Sequence, residues 1–364
     1  MCSFTVLFSL AAVHADAAQI ISSDTSSAIT ATGGDFTVNA GVTVSTAVNT
    51  TAVTVSGVDV PNFTNNGSIM TPTSGGTAVN FNSTDAMANI VNTGTMQSKS
   101  GVQLNSPAAI VNSGDMVGSD RTITLYTGAT GSTINNSFNL GVSVQDYAAI
   151  SNMSATIASI FNASTGTIAG FVPIENNSVI TTLTNSGNIH TTHFVASPGI
   201  GGSGSIGTLT NYGTISGAHG GYGVQNHLTT LANEQGRSSS PLTSFYQPSN
   251  YSIIVGSRSN YGELSIGSPS GTMSFGILEG SVLVPGAVYT NVLSGITVAN
   301  LADTSGTYDS GLPWNLVLEG GQTNVWDLTV SDVPEPGPLS ILGIGMTAVM
   351  FVRRHGNDRL RVGR

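Results

Sequence analysis

One pattern constrains the fold more than any other: Asn, any residue, Gly, any residue, then Ile or Met, repeated through the middle of the chain. Its clear copies are Asn65-Asn-Gly67-Ser-Ile69, Asn92-Thr-Gly94-Thr-Met96, Asn112-Ser-Gly114-Asp-Met116, Asn185-Ser-Gly187-Asn-Ile189 and Asn211-Tyr-Gly213-Thr-Ile215. Looser copies begin at Asn135, Asn162, Asn233 and Asn260. The steps between lead asparagines are 27, 20, 23, 27, 23, 26, 22 and 27 residues. A stack of similar units gives such a period, and loops of different length on one side give its variation.

The flanks decide between helical and strand units. Ile180-Thr-Thr-Leu183-Thr-Asn185 and Ile206-Gly-Thr-Leu209-Thr-Asn211 are rich in β-branched residues and alternate in places. No window holds a helical period of useful length. A leucine-dense consensus is absent, which argues against leucine-rich repeats. The expectation is an all-β chain whose body is a right-handed parallel β-helix with one coil per repeat. Each Asn-x-Gly is then a turn, with Gly at φ > 0 and Asn tolerating the left-handed region. Stacked asparagines can form a ladder between coils. Nine coils at ~4.8 Å each give a rod of roughly 40 Å. A β-sandwich whose turns use Asn-Gly is the competing architecture. The repeat resembles the passenger regions of autotransporters and filamentous adhesins, which implies an exported rod.

Texture divides the rest of the chain. Residues 19–55, rich in Thr and Val, start the stack, and residues 56–257 carry the repeats. From about 258 to 331, short apolar strands alternate with Gly/Pro turns, and both Trp314 and Trp326 fall here. An open solenoid end needs covering, so this block is expected to be a C-terminal β capping module.

The C-terminus has a different logic. Val333-Pro334-Glu335-Pro336-Gly337 lies in a proline-rich linker, 332–338, where prolines prevent a helix from starting. Leu339 to Val352 is an apolar run of 14 residues. As a helix it would span roughly 21 Å, short of the ~30 Å hydrocarbon core. Arg353, Arg354, Arg359 and Arg361 follow in the tail 353–364. Arginine beside an apolar segment stays cytoplasmic and extends a short span by snorkelling. The expectation is a short transmembrane helix over 339–352. Spacer, helix and arginines in this order resemble the PEP-CTERM sorting signal of Gram-negative bacteria. That resemblance implies an exosortase-type processing enzyme as partner, cleavage near Pro334–Pro336, and delivery from the inner membrane to the cell surface or extracellular matrix. The arginines are interrupted by His355-Gly-Asn-Asp358, a departure that leaves the cut position open.

The other end points to export as well. Phe4 to Val13 is apolar and Ala15-Asp16-Ala17 offers a cleavage site, so 1–18 reads as a signal peptide; no cation precedes the apolar stretch, as expected of a truncated one. The one cysteine, Cys2, lies within it. Removing the basic tail leaves four of the nine Lys and Arg against eighteen of the nineteen Asp and Glu. Nucleic acid is therefore not an expected partner, since phosphate contacts need clustered cations. Charged residues make up 8% of the chain, against a typical ~25%, so the exterior must be Ser, Thr, Asn and Gly.

Catalytic motifs are sparse. His190-Thr-Thr-His193 suggests a metal pair only in a loop, because positions i and i+3 of a strand face opposite ways. Gly202-Ser-Gly204-Ser-Ile-Gly207 matches a dinucleotide fingerprint in letters but opens no helix. A β-helix polysaccharide lyase or glycoside hydrolase is the rival reading. Its carboxylates would come from Asp115, Asp120, Asp146 and Glu175, with Arg121 the only basic residue between Lys99 and Arg237. A hydrolase needs two of them facing one groove. The preferred reading is non-catalytic, with no cofactor and no metal: an exported rod that is a structural filler or an adhesin, associated with extracellular polysaccharide. An aromatic patch from Tyr212, Tyr222, Phe245, Tyr246 and Tyr251 would favour the adhesin.

Overall fold

A computed structural model describes residues 17–143, 147–309 and 311–332. They form a parallel β-solenoid of about ten turns that runs into a six-stranded sheet near the C-terminus. Each coil has three faces. Ala88–Asn92 lies on the first. A turn at Thr93-Gly94 leads to Thr95–Leu104, whose beginning lies on the second face and whose end lies on the third. Pro107 then precedes Ala108–Asn112, back on the first face in parallel register.

Alternation within each strand fills the interior. On the first face Phe36, Phe63, Ile90, Ile110, Ile134, Ile160, Leu183, Leu209, Leu231, Tyr251 and Phe275 stack in a single register column. All are buried. Val44, Ile69, Met96, Met116, Leu140, Ile168, Ile189 and Ile215 do the same on the second face. Each such side chain removed from water contributes roughly 1.5–3 kcal/mol. Aromatic pairs sit towards the ends: Phe36 stacks on Phe63 at 4.9 Å, and Phe275 contacts both Tyr251 and Trp314.

On the first face, from Phe63 to Leu231, an inward asparagine comes two residues after the inward apolar residue. Asn65, Asn92, Asn112, Asn136, Asn162, Asn185, Asn211 and Asn233 are all fully buried. Each amide nitrogen donates to the amide oxygen of the next, at 2.8–2.9 Å, from Asn65 through to Asn233. Most also donate to a carbonyl just past the turn of the next coil, such as that of Thr95 or Thr214. The ladder thus satisfies buried amides that would otherwise cost ~1–3 kcal/mol apiece.

Three details of the expected turns change. Asn136, not Asn135, is the ladder residue: Ile134 and Asn136 point inward while Asn135 is exposed. Asn260 is off the ladder. It sits in a small antiparallel pair and donates to Glu234 Oε1 at 2.7 Å, while Ile253 takes the position after Asn233. Gly67, Gly94, Gly114, Gly187 and Gly213 do not have positive φ. Glycine is required there because the turns nest. A Cβ on Gly94, Gly114 or Gly213 would overlap the carbonyl oxygen of Gly67, Gly94 or Gly187, one coil below.

The stack does not stop near residue 257. Ser274–Ile277 adds a twelfth strand to the first face. The third face continues from Leu242–Tyr246 to Leu264–Ser268 and Val288–Ser294. Only then does pairing turn antiparallel, through Val325–Val330, Leu312–Leu318 and Ser305–Tyr308. Trp314 and Trp326 are buried in this sheet, and the Trp326 indole donates to the Ile296 carbonyl at 3.0 Å. Among the described residues no helix is long and apolar enough to cross a membrane. The apolar run Leu339–Val352 expected to do so lies outside them.

Asn136→Ala should lower stability by about 1–3 kcal/mol, because both neighbouring amides lose a partner, whereas Asn135→Ala should stay within about 0.5 kcal/mol. Urea denaturation midpoints of the two variants check the register. Gly94→Ala should cost about 1–3 kcal/mol through overpacking of the nested turns, while Gly320→Ala, with nothing near its added methyl, should be close to neutral.

Candidate binding site on the loop-bearing corner

Nested Asn-x-Gly turns keep most first corners short, although Asn162 to Thr167 takes two residues more than Asn185 to Asn188, so most variation in coil length falls elsewhere. The corner between the second and third faces takes much of it. Coil Asn112–Asn136 carries a bulge here: Ser98 pairs with Gly118, but Ser100 pairs with Arg121. The buried Thr122 hydroxyl lies between the Gly118 amide and the Gly141 carbonyl and fixes the bend. Bulges re-aim side chains, and this one presents Asp120 and Arg121.

Arg121 gathers the cluster around it. Its guanidinium binds Asp120 at 3.0 Å and lies 3.8 Å from Glu175. It also donates to Ser151 Oγ, which in turn donates to Glu175 at 2.8 Å. The Tyr147 ring lies 5.9 Å from the guanidinium carbon. Of the expected acids, Asp120 and Glu175 therefore meet at Arg121. Asp115 is held apart on the second face, accepting a hydrogen bond from Asn139. Asp146 lies outside the described residues. Both converging carboxylates are engaged by one guanidinium, with side chains 18% and 32% exposed.

Aromatic residues continue along this corner and, at Phe245 and Tyr246, onto the third face. The backbone of each loop bonds to the next: Phe171 to Tyr147, Thr192 to Gly170, Ser197 to Ala218, Gly199 to Tyr222. The His193 ring contacts Phe171 at 4.7 Å and stacks on Phe194 at 4.4 Å. Phe194 is 66% exposed. Further along, Tyr222 contacts Phe245 at 5.2 Å, Phe245 contacts Tyr246 at 4.7 Å, and Tyr246 stacks on His227 at 3.8 Å. Three members of the expected patch, Tyr222, Phe245 and Tyr246, thus come together. Tyr251 does not join them; it is a core residue. Tyr212 is exposed in the Asn-x-Gly turn on the first corner.

His190 sits on a second-face strand and His193 in the loop that follows. Burial pushes the His190 imidazole below its ordinary range. The glycines of Gly202-Ser-Gly204 are followed by a strand, and their carbonyls accept from the Asn226 amide.

That asparagine belongs to a second, shorter set outside the Asn-x-Gly pattern. Asn152 donates to Asn176 Oδ1 at 2.8 Å, and Asn226 donates to the Asn176 carbonyl. All three are buried at the end of the third face. The signal was present as Ile150-Ser-Asn152, Ile174-Glu-Asn176 and Val224-Gln-Asn226, a period without glycine. Reading it would have placed the intervening loops, and Tyr147, Phe171 and Phe194 with them, on one corner.

The ladder ends in a polar knot. Gln235 pairs its side-chain amide with both the N–H and the carbonyl of Ile215, as a strand would. Asn233 donates to the Gln235 and Glu263 carbonyls. Burial pushes the Glu263 carboxyl above its usual range, offset in part by Arg237. Burial likewise holds the Tyr251 phenol well above its ordinary value; the Asn233 amide offsets part of this and Glu263 adds to it.

The fold and this corner define a parallel β-solenoid with a buried asparagine ladder and a row of surface aromatics. No family model, curated protein or solved structure matches the chain.

A carboxyl with a raised folded-state pKa favours folding when protonated. That contribution is complete below the ordinary glutamate range and is lost as pH rises through the folded value. Glu263→Gln should therefore be more stable than the parent at about pH 8, and the gap should close as pH falls to about 4. Denaturation midpoints at the two pH values check this.

Proposed function

We propose that this chain is an exported, non-catalytic surface or extracellular-matrix protein. Its body is a right-handed rod that displays one loop-bearing corner, structural or adhesin-like, among extracellular polysaccharide. The observation that supports this most is the ladder, which stiffens a body with few charged side chains. Such a body is rigid through hydrogen bonds, presents hydroxyls and amides to its surroundings, and devotes little charge to chemistry.

Delivery is read from the sequence. Val333 to Gly337, the apolar run to Val352 and Arg353, Arg354, Arg359 and Arg361 form the sorting signal in this proposal. All lie outside the described residues, as do most of the signal-peptide positions. An exosortase-type enzyme at the inner membrane of a Gram-negative host would cleave near Pro334–Pro336 and release the rod.

A second reading has one observation in its favour. The corner bulge brings Asp120, Arg121 and Glu175 together, and a β-helix lyase or glycoside hydrolase would bring acid groups together in this way. The ion pairs weigh against it, since the arginine is already neutralised by the two acids it would share with a uronate.

Fractionation of the native host with intact-mass measurement tests the proposal. The expected product lacks the segment after Pro334–Pro336 and lies in the surface or matrix fraction. A full-length chain in the inner membrane would overturn sorting and leave an anchored protein.

A further inference from the structure

The aromatic row is built, coil by coil, on a corner where the fold does not demand it. The core columns and both sets of asparagines are complete without Tyr147, Phe171, Phe194, Tyr222, Phe245 or Tyr246. Tyr147, Phe171, Phe194 and Tyr222 nevertheless occupy successive loops joined by backbone hydrogen bonds, and Phe245 and Tyr246 close the row on the third-face strand Leu242–Tyr246. From Arg121 to Tyr246 the row crosses six levels of the stack, about 24 Å at ~4.8 Å per level. Ring faces and hydroxyls spaced this way suit an extended polymer lying parallel to the rod axis. The level spacing is close to the length of one β-linked hexose unit, whose apolar C–H face stacks on aromatic rings.

Charge selects among such polymers. Arg121, the one arginine in the row, is already paired with Asp120 and Glu175, and a lone lysine, Lys99, lies exposed one level before it. Residues 19–332 carry four Lys and Arg against sixteen Asp and Glu. A polyuronate or sulfated chain would meet net repulsion and find no unpaired guanidinium in the row. We propose that this corner binds a neutral β-linked glycan chain, laid along the rod axis, with Tyr222, Phe245 and Tyr246 as one stacking platform and Phe194 as another. The Arg121–Ser151–Glu175 cluster supplies hydrogen bonds to sugar hydroxyls at the far end. The inference deepens the reading of the chain as an exported polysaccharide-associated rod and rests on it.

Isothermal titration of the full chain tests it, using β-1,4- and β-1,3-linked glucose oligomers from disaccharide to hexasaccharide, with hexagalacturonate as the acidic probe. The expected result is binding of at least one neutral series, with affinity rising along the series and little dependence on salt. Phe194→Ala and Tyr246→Ala should each weaken binding about three- to tenfold, and Tyr212→Ala, off the row, should not. Phe194 is so exposed that its loss leaves the fold intact, and thermal unfolding of each variant verifies this. A folded protein that binds no neutral oligomer, binds only the galacturonate, gains nothing with length, or loses as much with Tyr212→Ala overturns the inference. Those outcomes leave the fractionation result untouched. Shortened oligomers in the same samples would instead overturn the non-catalytic reading.

Discussion

The amide-to-amide hydrogen bond between successive asparagines is the interaction on which the rest of the structure depends. A primary amide has two donors and an acceptor, so burying it alone is costly. Placed at one position in every coil, it becomes its own partner: each nitrogen serves the coil above and each oxygen accepts from the coil below. The ladder has a direction, running from Asn65 to Asn233. A directed ladder has two unlike ends. At the start, where Val38 precedes Asn65, the Asn65 amide oxygen is buried with no donor among the described residues. At the finish, Gln235 and the Glu263 carbonyl receive the last donors, and the fold passes into the antiparallel sheet soon after. The polar knot and the capping sheet are thus consequences of how a ladder must stop.

The ladder also explains where variation is allowed. Nested turns at Gly67, Gly94, Gly114, Gly187 and Gly213 leave no room for a side chain, so the first corner is held to one shape wherever this turn occurs. Successive ladder residues are nevertheless 20 to 27 positions apart. That slack is taken up in the rest of each coil, much of it where the second face meets the third. A corner that tolerates insertion tolerates new side chains as well, and Arg121, Tyr147, Phe194 and Tyr222 all lie there.

Much of this was legible in the sequence, for a physical reason. A ladder needs the same residue at the same place in every coil, and such repetition is visible without a structure. The parallel stack, its period and the ladder itself follow from it. What failed was finer. Asn135 and Asn136 are both asparagines, and only their distance from Ile134 shows which one points inward. Gly at φ > 0 is the usual reason for glycine in a turn, but here it answers contact between coils, which no single repeat reveals. Tyr251 matched the surface aromatics in type, yet it occupies the column of Leu231 and Phe275. The corner cluster was half visible, because its residues follow the weaker Ile-x-Asn period, which has no glycine to mark it.

Separation of the two corners bears on function. In a globular enzyme the groups that react and the groups that hold the fold compete for the same core. Here the stability resides in the ladder, the apolar columns and the nested turns, and each coil depends chiefly on its neighbours. Loops on the opposite corner can change without disturbing any of these. Most of the charge on that corner is arranged as a closed network, Arg121 with Asp120 and Glu175 and Ser151 bridging them, while Lys99 one coil before stands exposed outside it. Such a network orients a surface and offers hydrogen bonds, but a guanidinium engaged by two carboxylates is poorly placed to bind an anionic substrate as well. The adjacent rings pack on one another, and the faces they leave exposed, that of Phe194 above all, are the part of this corner best suited to meet another molecule.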